Sequence, residues 1–223
     1  PPVVNAGADQ SICNNNTLVT LAGTVNTGSP QWISGLGSYT NVNSPTSNYT
    51  PTGTEVSNGF VNLILQSTLA GCSAVRDTVR INFTPAPVVN AGSDKTVCSN
   101  VPAVALADGS ITGVTTSGTW TSSGSGTFVN ANLVNTTYNP SAADILAGTV
   151  TLTLTSTSNG NCSAVTDNLI VTITQGPVVD AGTNQTTCAN AGAFNLTGAT
   201  ITGATGGICA SQKWKRQGGP CLF

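Results

Sequence analysis

Histidine and methionine are absent from this chain of 223 residues, charged side chains make up only 6% of it, and aromatic ones only 5%. Each shortage excludes something. Without histidine there is no Ser-His or Cys-His nucleophile. With no Cys-x-x-Cys pair either, zinc lacks its usual ligands. No run of 18 apolar residues exists, so no helix of this sequence is expected to insert into a membrane. Lys213, Lys215 and Arg216 hold half of the basic charge, and residues 1–207 carry three positive against eight negative side chains. That distribution argues against nucleic acid, whose binding rests on clustered Lys and Arg. The glycines that follow the tryptophans are not succeeded by a helical pattern, as a phosphate-binding loop requires. No cofactor, metal site or catalytic residue is expected.

The residues that are abundant are Ser, Thr, Asn, Val, Ala and Gly, which favour strands and turns. They are arranged in a repeat. Residues 2–13 read PVVNAGADQSIC, residues 87–98 PVVNAGSDKTVC and residues 177–188 PVVDAGTNQTTC. Val19 and Leu21, Val104 and Leu106, and Phe194 and Leu196 follow at matched distances, with the period of a strand that buries one face. Trp32 and Trp120 then precede Gly35-Leu36-Gly37 and Gly124-Ser125-Gly126. Tyr49-Thr50-Pro51 matches Tyr138-Asn139-Pro140, and VNLILQST (61–68) matches VTLTLTST (150–157). The last strand alternates Val79, Ile81, Phe83 in one copy and Leu169, Val171, Ile173 in the next.

Each copy thus offers about seven short strands, and an antiparallel β-sandwich is expected. The period of 85–90 residues exceeds that of a solenoid. The expectation is therefore an all-β chain of beads on a string: repeat 1 over 1–86, repeat 2 over 87–176 and an incomplete repeat 3 over 177–223. Its tail from about residue 208 differs in composition from the rest, and half of the strands are missing. Copy three is accordingly expected to be poorly ordered, and the chain to be a fragment of a longer protein, with any signal sequence lying outside it.

Cys13, Cys72, Cys98 and Cys162 occupy repeat-equivalent positions. Four cysteines allow three connectivities. Equivalent positions in independent domains favour the pairs Cys13–Cys72 and Cys98–Cys162, each tying one end of a sandwich and each implying an oxidising compartment. Trp32 and Trp120 are expected in the two cores, with a sugar-stacking surface role as the alternative. Of the carboxylates, Asp9 recurs as Asp94 and Asp77 as Asp167. A residue that recurs with the module is expected to serve the module by accepting backbone N–H bonds. A calcium site at a joint is the sharper alternative.

The openings PVVNAGADQ and PVVNAGSDK resemble the start of PKD domains, whose fold is an immunoglobulin-like sandwich. Trp120-Thr121-Ser122-Ser123-Gly124 stands where that family has Trp-Asp-Phe-Gly-Asp-Gly. This departure, with Tyr138-Asn139-Pro140-Ser141-Ala142-Ala143-Asp144, resembles the PKD-like repeats of very large surface adhesins of Bacteroidetes-type bacteria. The resemblance implies tandem immunoglobulin-like sandwiches at the cell surface or outside the cell, acting as a non-catalytic structural or adhesive module. It implies surface glycans or other cell-surface proteins as partners. The alternative is an accessory region of a secreted glycan- or protein-degrading enzyme whose catalytic domain lies elsewhere.

Overall fold

A computed structural model describes residues 2–184 and 198–203. The apolar alternation of the first copy becomes nine strands and a short helix: β1 (Val4–Asn5), β2 (Gln10–Cys13), β3 (Val19–Ala22), β4 (Thr24–Val25), β5 (Ser29–Trp32), β6 (Ser38–Tyr39), β7 (Thr46–Thr50), α1 (Gly53–Ser57), β8 (Phe60–Thr68) and β9 (Val75–Thr84). The second copy repeats the series: β10 (Val88–Asn90), β11 (Lys95–Cys98), β12 (Val104–Leu106), β13 (Ser110–Thr112), β14 (Gly118–Ser122), β15 (Thr127–Phe128), β16 (Thr136–Asn139), α2 (Ala142–Ala147), β17 (Thr149–Ser156) and β18 (Thr166–Thr174). Beyond it, β19 (Val178–Asp180) pairs with β20 (Thr200–Thr202) in the register of β10 with β13.

Each copy is a sandwich of two sheets. In the first, the four-stranded sheet has the order β2-β9-β8-β5 and faces the three-stranded sheet β3-β7-β6. The second has β11-β18-β17-β14 facing β12-β16-β15. The strands beyond the seven expected from the sequence form the small ribbons β1-β4 and β10-β13. Pairing is antiparallel except where β2 runs parallel to β9, and β11 to β18. That parallel pair decides where the cysteines end up.

Strand alternation builds the cores. On β8, Val61, Leu63 and Leu65 turn inward and Phe60 and Asn62 outward; on β17, Val150, Leu152 and Leu154 are buried. They meet Val19, Leu21 and Tyr49 in the first core and Val104, Leu106 and Tyr138 in the second. The two clusters share no residue, so each sandwich buries its own apolar surface. Trp32 and Trp120 are both 2% exposed. Each indole N–H donates to a loop carbonyl at 3.0 Å, Ser44 for Trp32 and Val134 for Trp120. A buried tryptophan needs such a partner, and neither ring is available to stack on a sugar.

The helices were not read from the sequence. Both start with a capping box: Thr52 Oγ1 accepts from the Glu55 amide while the Glu55 carboxylate accepts from the Thr52 amide, and Ser141 and Asp144 do the same. The expectations for Phe194 and Leu196 and for the tail from about residue 208 lie outside the described residues.

Candidate functional site: the joint between the repeats

Strand β2 ends at Cys13, in register with Thr84 at the end of β9. Both strands therefore finish at the edge of the first sandwich from which the chain leaves for the second. Cys72 lies three residues before the other end of β9. Ten residues of strand span roughly 30 Å. A disulfide needs Cα atoms about 4.4–6.8 Å apart, so Cys13 and Cys72 cannot meet. The same holds in the second copy, where Cys98 is in register with Thr174 at the end of β18 and Cys162 precedes its start. The expected pairs Cys13–Cys72 and Cys98–Cys162 are thus replaced by one bridge. Cys13 is bonded to Cys162, at 2.05 Å between sulfurs and 4.8 Å between Cα atoms. Cys72 and Cys98 are exposed and have no sulfur partner among the described residues.

The loop between β17 and β18 carries Cys162 back to the first sandwich, and polar contacts align it there. The Asn15 side chain makes two reciprocal bonds to Ser163, donating to its carbonyl at 3.1 Å and accepting from its amide at 3.2 Å. The Asn161 amide donates to the Ser11 carbonyl at 3.1 Å. The Ala86 amide donates to the Asn14 side chain at 2.7 Å, which pins the linker against the end of β2. The Thr84 hydroxyl donates to the Ile12 carbonyl and lies 3.9 Å from the Cys162 sulfur. Cys13 itself is fully buried. Asn14, Asn15 and Asn161 carry no sequence signal that sets them apart from the many other asparagines; their role as a polar seam required the three-dimensional end-to-end placement.

Where β8 begins in the first sandwich and β17 in the second sits a further feature that recurs with the repeat, a buried tyrosine hydrogen-bonded to a carboxylate. Tyr49 donates to Glu55 at 2.6 Å and Tyr138 to Asp144 at 2.7 Å. Amides complete each carboxylate: Leu36 and Thr52 donate to Glu55, and Ser125, Gly126 and Ser141 to Asp144. Desolvation by burial works against ionisation of Glu55, but the hydrogen bonds from Tyr49, Leu36 and Thr52 hold its carboxyl below the usual range. Asp144, likewise opposed by burial, is held down at about 2 by the amides of Ser141, Ser125 and Gly126 and the Tyr138 hydroxyl. Burial, then the neighbouring carboxylate, pushes the Tyr49 phenol up; burial does most of the same for Tyr138.

The glycines after the tryptophans belong to this network. A Cβ on Gly37 would stand 2.8 Å from the Tyr49 hydroxyl, and one on Gly126 would stand 2.5 Å from that of Tyr138.

The recurring aspartates accept backbone amides across strands. Asp77 takes the Ala6 N–H at 2.7 Å, and Asp167 takes that of Ala91 at 2.8 Å. Asp9 takes the Arg80 N–H and Asp94 that of Ile170, both at 2.8 Å. Asp108 is engaged by the Lys95 ammonium at 2.7 Å, which holds its carboxyl well below the usual range, with help from Ser93. These carboxylates stabilise strand edges and turns. Among the described residues no three metal-ligating side chains gather, and no described helix is long and apolar enough to cross a membrane.

No family model matches the chain, and no curated protein does. Solved structures do. Sidekick-1 immunoglobulin domains 1–5 are matched over 80% of this chain and 40% of that one, at 14% identity and a TM-score of 0.43. The insect immune protein hemolin is matched over 78% and 47%, at 10% and 0.42. An I-band fragment of titin is matched over 79% and 67%, at 12% and 0.44. The chain thus spans less than half the length of the first two. The chain is an all-β array of tandem immunoglobulin-like sandwiches, as its own strand order establishes.

Proposed function

We propose that this chain is a non-catalytic structural and adhesive module of a large exported protein, organised as repeats over 1–86, 87–176 and 177–223. In this reading it is a stalk related to the PKD-like repeats of Bacteroidetes-type surface adhesins, standing outside the cell where glycans and other surface proteins are within reach. The observation that carries the proposal is the bridge from Cys13 to Cys162. A disulfide inside a domain constrains only the unfolding of that domain. One between two domains also limits their relative orientation, which otherwise varies across a small polar interface. Limited orientation matters to a stalk that must hold its reach. A disulfide also persists best in an oxidising compartment.

The native thiols offer the test. Cys72 in one sandwich and Cys98 in the other are exposed, and spin labels on them report the distance between repeats. With Cys188, Cys209 and Cys221 replaced by Ser, the bridged chain should give one narrow distance distribution. The Cys13→Ser, Cys162→Ser variant should give a broad one. Equal widths would remove the stiffening role and with it the support for a stalk.

A further inference from the structure

The bridge joins unlike positions. Cys13 is the first cysteine of its repeat, and Cys162 is the second cysteine of the following repeat. The two cysteines without a sulfur partner among the described residues are one of each kind: Cys98 corresponds to Cys13, and Cys72 corresponds to Cys162.

The surroundings of Cys98 reproduce those of Cys13. Cys98 ends β11 in register with Thr174, as Cys13 ends β2 in register with Thr84. The Gly176 amide donates to the Ser99 side chain at 2.8 Å, as the Ala86 amide donates to Asn14 at 2.7 Å. The Ser99 amide donates to the Thr174 carbonyl at 2.8 Å, as the Asn14 amide donates to that of Thr84 at 3.0 Å. Thr174 Oγ1 stands 3.7 Å from the Cys98 sulfur, while Thr84 Oγ1 stands 3.9 Å from the sulfur bonded to Cys13. The start of a third ribbon, β19 with β20, leaves this joint in the register of the ribbon that leaves the first. Asn100, the counterpart of Asn15, is exposed, with none of the reciprocal bonds that Asn15 makes to Ser163.

We propose that Cys98 is a half-bridge, and that its partner is the second-position cysteine of another complete repeat docked as the second sandwich docks on the first. Cys72 is the complementary half, offered to the first-position cysteine of a repeat on its other side. The array is then a covalent ladder in which each repeat is bolted to both neighbours and none is bridged within itself. Bond formation breaks two S–H bonds and releases two protons and two electrons, the electrons taken up by the thiol oxidant of an exported environment, a disulfide or quinone-linked oxidase. The inference rests on the stalk reading and extends it from one joint to every joint.

The test is the full chain with residues 87–176 written twice in tandem, the inserted copy marked by mass in both of its cysteine peptides through Thr96→Ser and Thr166→Ser. Oxidised protein is digested without reduction, and linked peptides are read by mass spectrometry. The expected result is Cys98 of the original copy joined to the marked Cys162 peptide of the inserted one, with Cys13–Cys162 in the same digest showing that the first joint is assembled. A free Cys98 thiol, or Cys98 joined to any other cysteine, would overturn the ladder while leaving the first bridge and the stalk reading intact. Loss of Cys13–Cys162 as well would overturn both.

Discussion

Tyr138 donates a 2.7 Å hydrogen bond to Asp144, six residues further on, across the short turn that leads from β16 into α2. The hydroxyl also receives one from Ser122 at 2.8 Å and another from the Gly126 amide at 3.1 Å. Behind it the ring continues an aromatic stack through Phe128, 4.9 Å between centroids, to Trp120 at a further 6.2 Å. The largest apolar contacts of the core and the fully satisfied carboxylate are therefore one continuous structure. Repeat 1 builds the same stack from Trp32, Tyr39 and Tyr49, ending on Glu55.

Removing the hydroxyl alone should show what this link contributes. Tyr138→Phe keeps the ring but removes one hydrogen bond from the buried Asp144 carboxylate and the acceptor of the Ser122 hydroxyl. A lost bond to a buried charged group costs about 1–3 kcal/mol. Denaturant melts of the full chain should show the second sandwich destabilised by that amount while the transition of the first is unmoved. An unchanged second transition would show that the hydroxyl is solvated, not engaged.

The same network sets a pH window. Asp144 is held down to about 2 in the folded chain, and Glu55 is also lowered. Their contribution to stability is present above the unfolded carboxylate range, near pH 4, and is lost as pH falls through the folded values. Tyr49 and Tyr138 are shifted upward. Their contribution is complete below the unfolded phenol value near 10 and is lost as pH rises beyond it. Thermal melts should therefore be flat from about pH 5 to 9 and fall on both sides. A steady slope across that plateau would contradict the assignment.

How far could these features be read beforehand? Alternation placed Val61, Leu63, Leu65 and their counterparts Val150, Leu152 and Leu154 on inward faces, because burial on one face of a strand is a local pattern. Trp32 and Trp120 were legible for the same reason. The bridge was not, because it depends on β2 lying parallel to β9. Nothing local signals that pairing, and it sends the two cysteines of a repeat to opposite ends of the sandwich. The helices were obscured by their length of five and six residues, too short to show a period. Their capping boxes, Thr52 to Glu55 and Ser141 to Asp144, were nonetheless present in the sequence, and with them the partners of the two tyrosines.

Two glycine substitutions should move stability in opposite directions. Gly126→Ala puts a Cβ 2.5 Å from both the Tyr138 hydroxyl and the Asn139 carbonyl, so overpacking should cost about 1–3 kcal/mol. Gly53→Ala, in the first turn of α1, meets nothing within 4 Å. The second copy already carries Ala142 at that position. The change should stabilise the first sandwich by about 0.4–1 kcal/mol. Urea melts of both variants check the signs, and a destabilising Gly53→Ala would show that the open space is occupied.

The joint is tested most directly by mapping the disulfides of the full chain recovered from oxidising export. Free thiols are first alkylated, and the unreduced protein is then digested and analysed by mass spectrometry. A peptide pair linking Cys13 to Cys162, with Cys72 carrying the alkyl group, is the expected result. Pairs linking Cys13 to Cys72 and Cys98 to Cys162 would instead close each sandwich on itself and contradict the bridged joint on which the stalk rests.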